Sequence, residues 1–472
     1  MATNPFRTSF DRLLALWILR AFTPDLARAN FTNGSNYADS DIAKFLGMPE
    51  HLDEETLLQI PRLLDELHRS LERAAPASLP AQARNSFTRL AEELRLNATE
   101  QCIIEFFACM ETEPPLEDTA RVCRKILATE ASRFLAKVLN LPRNAVSKAL
   151  APGGRLMRCG LLKRSDHPHR TGVLGMHSSA LACQLLQHPY DSRKLLKLFG
   201  VVAQSPPELA LGDFPHLQTS LDLLLPYLKT VQAKRKPGVN ILIHGAPGTG
   251  KSQLVRVLGR VLGTPVFELA TTDHEGDPLR AEGRLSVLSL AQTYFSESPA
   301  LLVVDEAEDI LTPSPINRGM ANSHKGWFNQ MLENNRKPVF WISNSIETLD
   351  PAFSRRFDFI LEVPVPPKDQ RRKILMESAG KLVSPGLVEH LAGIEHLAPA
   401  VVTRARNVVQ AIRREIPKGN LDAALSHVIG GVLKAQGHPD PANSIGSPVE
   451  QGLYDISHLN TSADLARIAD NL

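Results

Sequence analysis

Apolar residues recur at three- and four-residue spacing from the start of the chain to about Leu198, as in Leu57, Leu58, Ile60, Leu63, Leu64 and Leu67. That spacing predicts helices with one buried face. The apolar run 13–19 is short and flanked by Arg7, Arg12, Arg20 and Asp25, with no small-residue cleavage site. It reads as the face of an amphipathic helix (Phe10, Leu13, Leu14, Trp17, Ile18), not as a secretory signal or a membrane span. A Pro/Ala cluster at 74–82 marks a loop. Residues 131–150 then predict two short helices around Leu139-Asn140-Leu141-Pro142. Pro152-Gly153-Gly154 and an alternating stretch near Leu161 follow. Helix, turn, helix and small hairpin is a winged-helix order.

Residues 203–215, with three prolines, read as a linker, and beyond them the pattern changes. Segments 239–244, 266–270, 301–305, 339–343 and 359–363 are short, apolar and rich in branched residues, as strands buried on both faces should be. Helical stretches separate them, so an α/β architecture with a parallel sheet covered by helices is expected. Residues 364–367 end that sheet, 370–432 are again helical, and the tail from Gly437 is rich in Pro, Gly, Ser and Asn.

A length of 472 residues exceeds what one core organises, so two or three domains are expected. Hydrophobic residues at 43% and charged residues at 22% exclude wholesale disorder. The net charge of +2 hides a local excess: residues 137–197 hold eleven Lys/Arg against Asp166 and Asp191 alone. Five scattered cysteines, with no CxxC pair, suit reduced thiols in a cytoplasmic protein better than disulfides or a zinc site. His167-Pro-His169 has no further ligands beside it and reads as exposed.

Gly245-Ala246-Pro247-Gly248-Thr249-Gly250-Lys251-Ser252 is a complete phosphate-loop pattern between an expected strand and an expected helix. Its glycines let backbone N–H groups approach phosphate oxygens, and the helix N-terminus favours an anion. Lys251 is expected to neutralise the β- and γ-phosphates of ATP, and Ser252 to ligate Mg²⁺. Leu301-Leu-Val-Val-Asp305-Glu306 delivers two acids to the end of an apolar strand. There Asp305 can hold Mg²⁺ through water and Glu306 can polarise the attacking water. Asn344 ends the strand Trp341-Ile-Ser-Asn344, where its amide can orient that water. Arg355 and Arg356 follow Leu349-Asp350-Pro351 at the domain edge, placed to reach a neighbouring subunit's nucleotide as fingers. Pairing with Glu362 or Asp358 is their bland alternative.

The series GAPGTGKS, LLVVDEAED, WISN and LDPAFSRRFD resembles the AAA family of AAA+ ATPases over about 213–407. The resemblance implies a five-strand nucleotide-binding subdomain, a small helical lid, and a homo-oligomer or a ring with a related ATPase module in which the arginines act in trans. More closely, the chain resembles the first ATPase module of bacterial proteins carrying two such modules in tandem. That likeness rests on Gly238-Val-Asn-Ile-Leu, Ser323-His-Lys-Gly-Trp327-Phe-Asn329, Pro399-Ala-Val-Val-Thr-Arg404-Ala, and a tail holding Tyr454-Asp455 and Asn460-Thr-Ser-Ala-Asp464. In those proteins such a tail leads into the second module. The expected division is therefore 1–130 helical, 131–200 winged-helix-like, 201–237 linker, 238–368 nucleotide-binding, 369–436 lid and 437–472 tail.

Two departures bear on function. Protein-threading relatives place an aromatic residue in a pore loop where this chain has Thr272-Asp273-His274-Glu275-Gly276-Asp277, and carboxylates cannot grip a chain by stacking. Val401 stands where other branches carry a nucleotide-sensing arginine, with Arg404 or Arg406 nearby. Arg143 and Lys148 on the second short helix, with Arg155, Arg158, Lys163 and Arg164 flanking the wing, would form a basic face. Remodelling of a docked protein partner is the expected function. Its alternatives are a DNA-contacting ATPase and an ATP-switched module with little turnover.

Overall fold

The computed structural model describes residues 6–438, apart from 75, 165–173, 177, 274–275, 312–330, 347–350 and 418–419. His167 and His169, the motif around Trp327, the Leu349-Asp350 turn and the tail motif around Tyr454 lie outside the described residues.

The N-terminal part is built of amphipathic helices, with one two-residue hairpin pairing Thr32–Asn33 with Asn36–Tyr37. Ser9–Ala21 is the first helix. Thr8 and Asp11 close a capping box at its start, and it buries Leu14, Trp17 and Ile18. Asn97 and Glu100 form the same device on Ala98–Thr112. Helices Ala131–Val138 and Arg143–Ala149 are followed by a turn of helix at Arg155–Arg158. An antiparallel pair, Leu162–Arg164 with Leu174–Met176, comes next.

One sheet organises the rest. Its strands run Phe359–Glu362, Asn240–His244, Val339–Ser343, Leu301–Val304 and Val266–Leu269, all parallel, and the sixth, Val201–Ala203, lies antiparallel at the edge. The five parallel strands are those the apolar segments predict. The sixth comes from a stretch expected as linker: the chain turns at Gly200 (φ +79°), and Val201 then pairs with Leu269. Three residues are too few to show a period, and pairing covers an edge that would otherwise be open. The same expected linker also holds the 17-residue helix Gln218–Lys234.

Alternation along the strands splits the core between the two faces. Ile241, Ile243, Val303, Phe340 and Ile342 join the helices Gln218–Lys234 and Lys251–Leu262 on one side. Leu242, Leu302, Val304 and Trp341 face the other way, into a cluster continuous with helix Ala281–Tyr294 and the whole N-terminal part. The N-terminal region is therefore packed onto the sheet and is not tethered by a free linker. A third cluster, with Leu375, Leu391, Val402 and Leu433, makes the lid from helices Lys368–Ala379, Pro385–Ala392, Pro399–Ala411 and Leu421–Ala435.

Candidate nucleotide site

The phosphate loop leaves the central strand at His244 and enters helix Lys251–Leu262, whose N-terminus has no side-chain cap. Its first N–H groups are therefore free for an anion. Two glycines are needed for shape. At Gly245 (φ +144°) a Cβ would lie 2.2 Å from the Val363 carbonyl oxygen, and at Gly248 (φ +81°) one would lie 2.7 Å from Ala400 Cβ. Thr249 Oγ1 ties the loop to itself by donating to the Ala246 carbonyl at 3.0 Å, while Ala246 and Pro247 are exposed. Gly250, in the left-handed region, is the last loop residue and faces the Phe214 ring.

Lys251 is buried, and its Nζ donates to the carbonyls of Gly245 at 2.8 Å and Ala246 at 2.9 Å and to Asn344 Oδ1 at 3.0 Å. Burial pushes this ammonium below its ordinary pKa, with Asp305 and Glu308 opposing the shift. Ser252 Oγ donates to Asp305 Oδ2 at 2.9 Å. The other Asp305 oxygen accepts the Glu306 N–H at 2.8 Å, and Glu306 sits in the left-handed region at φ +50° with its side chain exposed. Ends of three neighbouring strands thus bring Lys251, Ser252, Asp305, Glu306 and Asn344 together, as the sequence pattern expects.

Two contacting side chains were not singled out from the sequence. Glu308 Oε1 accepts the Asn344 amide at 3.1 Å. The signal for it was its place three residues after Asp305, within an acidic run. Arg284, on the helix Ala281–Tyr294, is 1% exposed and donates to the carbonyls of Asp305 and Glu306. An arginine on a helix reads as a surface residue, so its sequence carries no signal for this contact. Glu268, on the neighbouring strand, has its carboxyl pushed up by burial and by Asp305.

The two arginines do not stand alike. Arg355 is exposed, whereas Arg356 makes an ion pair with Glu333 of its own chain, a partner other than the Glu362 or Asp358 considered from sequence. Asp358 instead accepts from the Asn240 backbone N–H at 3.0 Å, Tyr227 Oη at 2.7 Å and Lys236 Nζ at 3.1 Å. From the lid, the Ala400 N–H donates to the Gly248 carbonyl at 3.2 Å. Val401 is buried in the lid core, Arg404 is exposed and Arg406 donates to Asn407. The acidic segment begins with a bridge between Thr272 and Pro278, and His274 and Glu275 lie outside the described residues.

The donor set fits a magnesium nucleotide: a cradle that a Cβ would fill, an uncapped helix start, a buried ammonium and a hydroxyl–carboxylate pair. On the basic face Arg143, Lys148, Arg158 and Lys163 are exposed, while Arg155 is tied to the Arg95 carbonyl and lies 3.5 Å from Glu100. No helix among the described residues is long and apolar enough to cross a membrane.

Comparison with known proteins agrees with this geometry. The chain is similar to the ATP-dependent zinc metalloprotease FtsH of Acidimicrobium ferrooxidans, 29% identical over 40% of this chain and 32% of that protein. It is also similar to the human ATPase family gene 2 protein homolog B, 30% identical over 38% of this chain and 26% of that protein. The chain thus spans about a third or less of the length of these two curated relatives. A chain of the HORMA:CdnC:Trip13 complex from E. coli MS115-1 overlaps 48% of this chain and 93% of its own length at 20% identity, but its TM-score of 0.36 is too low to bear on the fold. The homologues are AAA+ ATPases, which implies ATP binding and supports ATP hydrolysis by this domain. Residues 241–365 are an AAA domain, of the ATPase family associated with various cellular activities.

Proposed function

We propose that this chain hydrolyses ATP as an oligomeric AAA+ module and uses turnover to remodel a protein partner or assembly. The observation that supports it most is the linked set Lys251–Asn344 and Ser252–Asp305, with Glu306 beside it. Bound MgATP supplies the phosphoryl group to be transferred and the metal charge that stabilises it. Lys251 would exchange its carbonyl acceptors for phosphate oxygens, and Ser252 and Asp305 would hold the Mg²⁺. Glu306 orients and deprotonates water, and Asn344 fixes the direction of attack. Arg355 and Arg356 act on a neighbouring subunit.

Glu306→Gln keeps the shape of the side chain but removes the base, so nucleotide binding should persist while turnover disappears. A Lys251→Ala protein mixed with an Arg355→Ala, Arg356→Ala protein should regain part of the activity, because each supplies what the other lacks. Normal turnover by Glu306→Gln sinks the hydrolytic assignment, and no rescue on mixing sinks the trans arginines.

The exposed cations on helix Arg143–Ala149 and at Lys163 form the docking face, and an acidic protein surface is the partner they fit. Reversing Arg143, Lys148 and Lys163 to Glu should abolish partner binding and leave basal ATPase intact. Salt-sensitive DNA binding by the parent protein would replace the protein partner with nucleic acid.

A further inference from the structure

We propose that Arg284 is a positioning residue for the water-activating carboxylate: its guanidinium clamps the two peptide carbonyls on which the Glu306 side chain hangs. The inference rests on the assignment of Glu306 above. Arg284 is among the largest fully buried side chains of the protein. Its Nη1 donates to the Glu306 carbonyl at 3.0 Å, and its Nη2 donates to the Asp305 carbonyl. The Asp309 carboxylate lies 3.9 Å away, and Nε finds no partner among the described residues.

Arg284 is not held by a close ion pair: among the described residues only Asp309 comes within ion-pair distance, at its outer limit, and the Glu306, Asp305 and Glu308 carboxylates act on the guanidinium from further off. Its paired donors are aimed at backbone, and the backbone they hold is unusual. Glu306 is one of four non-glycine residues with positive φ among those described. Such a conformation is strained for a residue with a side chain and persists only where the surroundings over-determine it. Four hydrogen bonds do so here. The Glu306 N–H is held by Asp305 Oδ1, the Ala307 N–H donates to the Ile342 carbonyl at 2.8 Å, and Arg284 takes both carbonyls. With the peptide planes on either side of its Cα fixed, the Glu306 carboxylate has only its own side-chain torsions left to search.

The clamp is itself rigidly mounted. Helix Ala281–Tyr294 buries Leu285, Val287, Leu288 and Ala291, and Thr293 lies 3.7 Å from Cys159 of the N-terminal part. Arg284 therefore ties the catalytic turn to the helix on which the N-terminal region is packed.

Three substitutions test this: Arg284→Lys, Arg284→Gln and Arg284→Met, with decreasing ability to donate to the two carbonyls. Thermal melting, nucleotide affinity and kcat are measured for each beside Glu306→Gln. We expect Arg284→Met to keep nucleotide affinity and to lose kcat by roughly 10²-fold, the scale of a reacting group displaced by about an ångström. Arg284→Lys should recover part of the loss. Parent-like kcat in a folded Arg284→Met protein, with Glu306→Gln inactive, overturns the proposal alone. Affinity and kcat falling together, or all three variants failing to fold, would make Arg284 a structural residue and overturn it as well. Normal turnover by Glu306→Gln would instead remove the reading beneath it.

Discussion

Gly248→Ala isolates the contact between the phosphate loop and the lid. At φ +81° the new side chain enters a region that costs an L-residue about 1–2 kcal/mol. Its Cβ would also stand 2.7 Å from Ala400 Cβ. Carbon atoms prefer about 3.5–4.0 Å, so loop or lid must withdraw by about 1 Å. Withdrawal lengthens the 3.2 Å hydrogen bond from the Ala400 N–H to the Gly248 carbonyl, worth about 1 kcal/mol net. In the free protein the loop can relax away from this strain, but around phosphates it must take its cradle shape again. About 2–3 kcal/mol therefore falls on binding, which weakens nucleotide affinity by roughly 30- to 150-fold. Isothermal titration with a non-hydrolysable ATP analogue measures it. Gly263→Ala is the control: its φ is +61° but nothing lies within 4 Å of its Cβ position, so affinity should not change. A Gly248→Ala protein that binds within about threefold of the parent would refute the reasoning, since a shift of less than about 0.7 kcal/mol leaves no room for the clash.

Arg355→Ala should lower turnover by about 10³-fold or more at concentrations where the parent is associated, with nucleotide affinity unchanged; a rate that does not move would assign Arg355 to the surface. Asp358→Ala strands the buried Asn240 N–H and two further donors, and should destabilise by roughly 2–4 kcal/mol in denaturant titration; an unchanged midpoint would show that the network relaxes. Burial lifts the Glu105 carboxyl above its ordinary pKa of 4.5, with a hydrogen bond from Gln101 opposing. A raised carboxyl pKa in the fold favours folding below the unfolded value, and that contribution is lost as pH rises through the folded value. Glu105→Gln should therefore raise the melting temperature at neutral pH, with the gain shrinking toward about pH 4; a variant less stable than the parent at neutral pH contradicts it.

The phosphate loop, the Asp305-Glu306 strand end and Asn344 were legible from residue order because each is a local device. A glycine pattern, a strand terminus or a turn is set by neighbours in the chain. The five parallel strands were legible for the same reason, since burial on both faces forces continuous apolar runs. The sixth strand was not, because Val201–Ala203 is a strand only where the open edge at Val266–Leu269 receives it. Nor could the sequence show that the N-terminal helices share a core with the sheet. An amphipathic stripe says that a face is buried, not against what. Arg356 found Glu333, and Arg284 found two backbone carbonyls, through contacts spanning about 20 residues of chain. A side chain with a long reach and five donors takes its role from whatever the fold brings to it. Spacing therefore decided which groups gather at the phosphate loop, and packing decided what holds those groups in place.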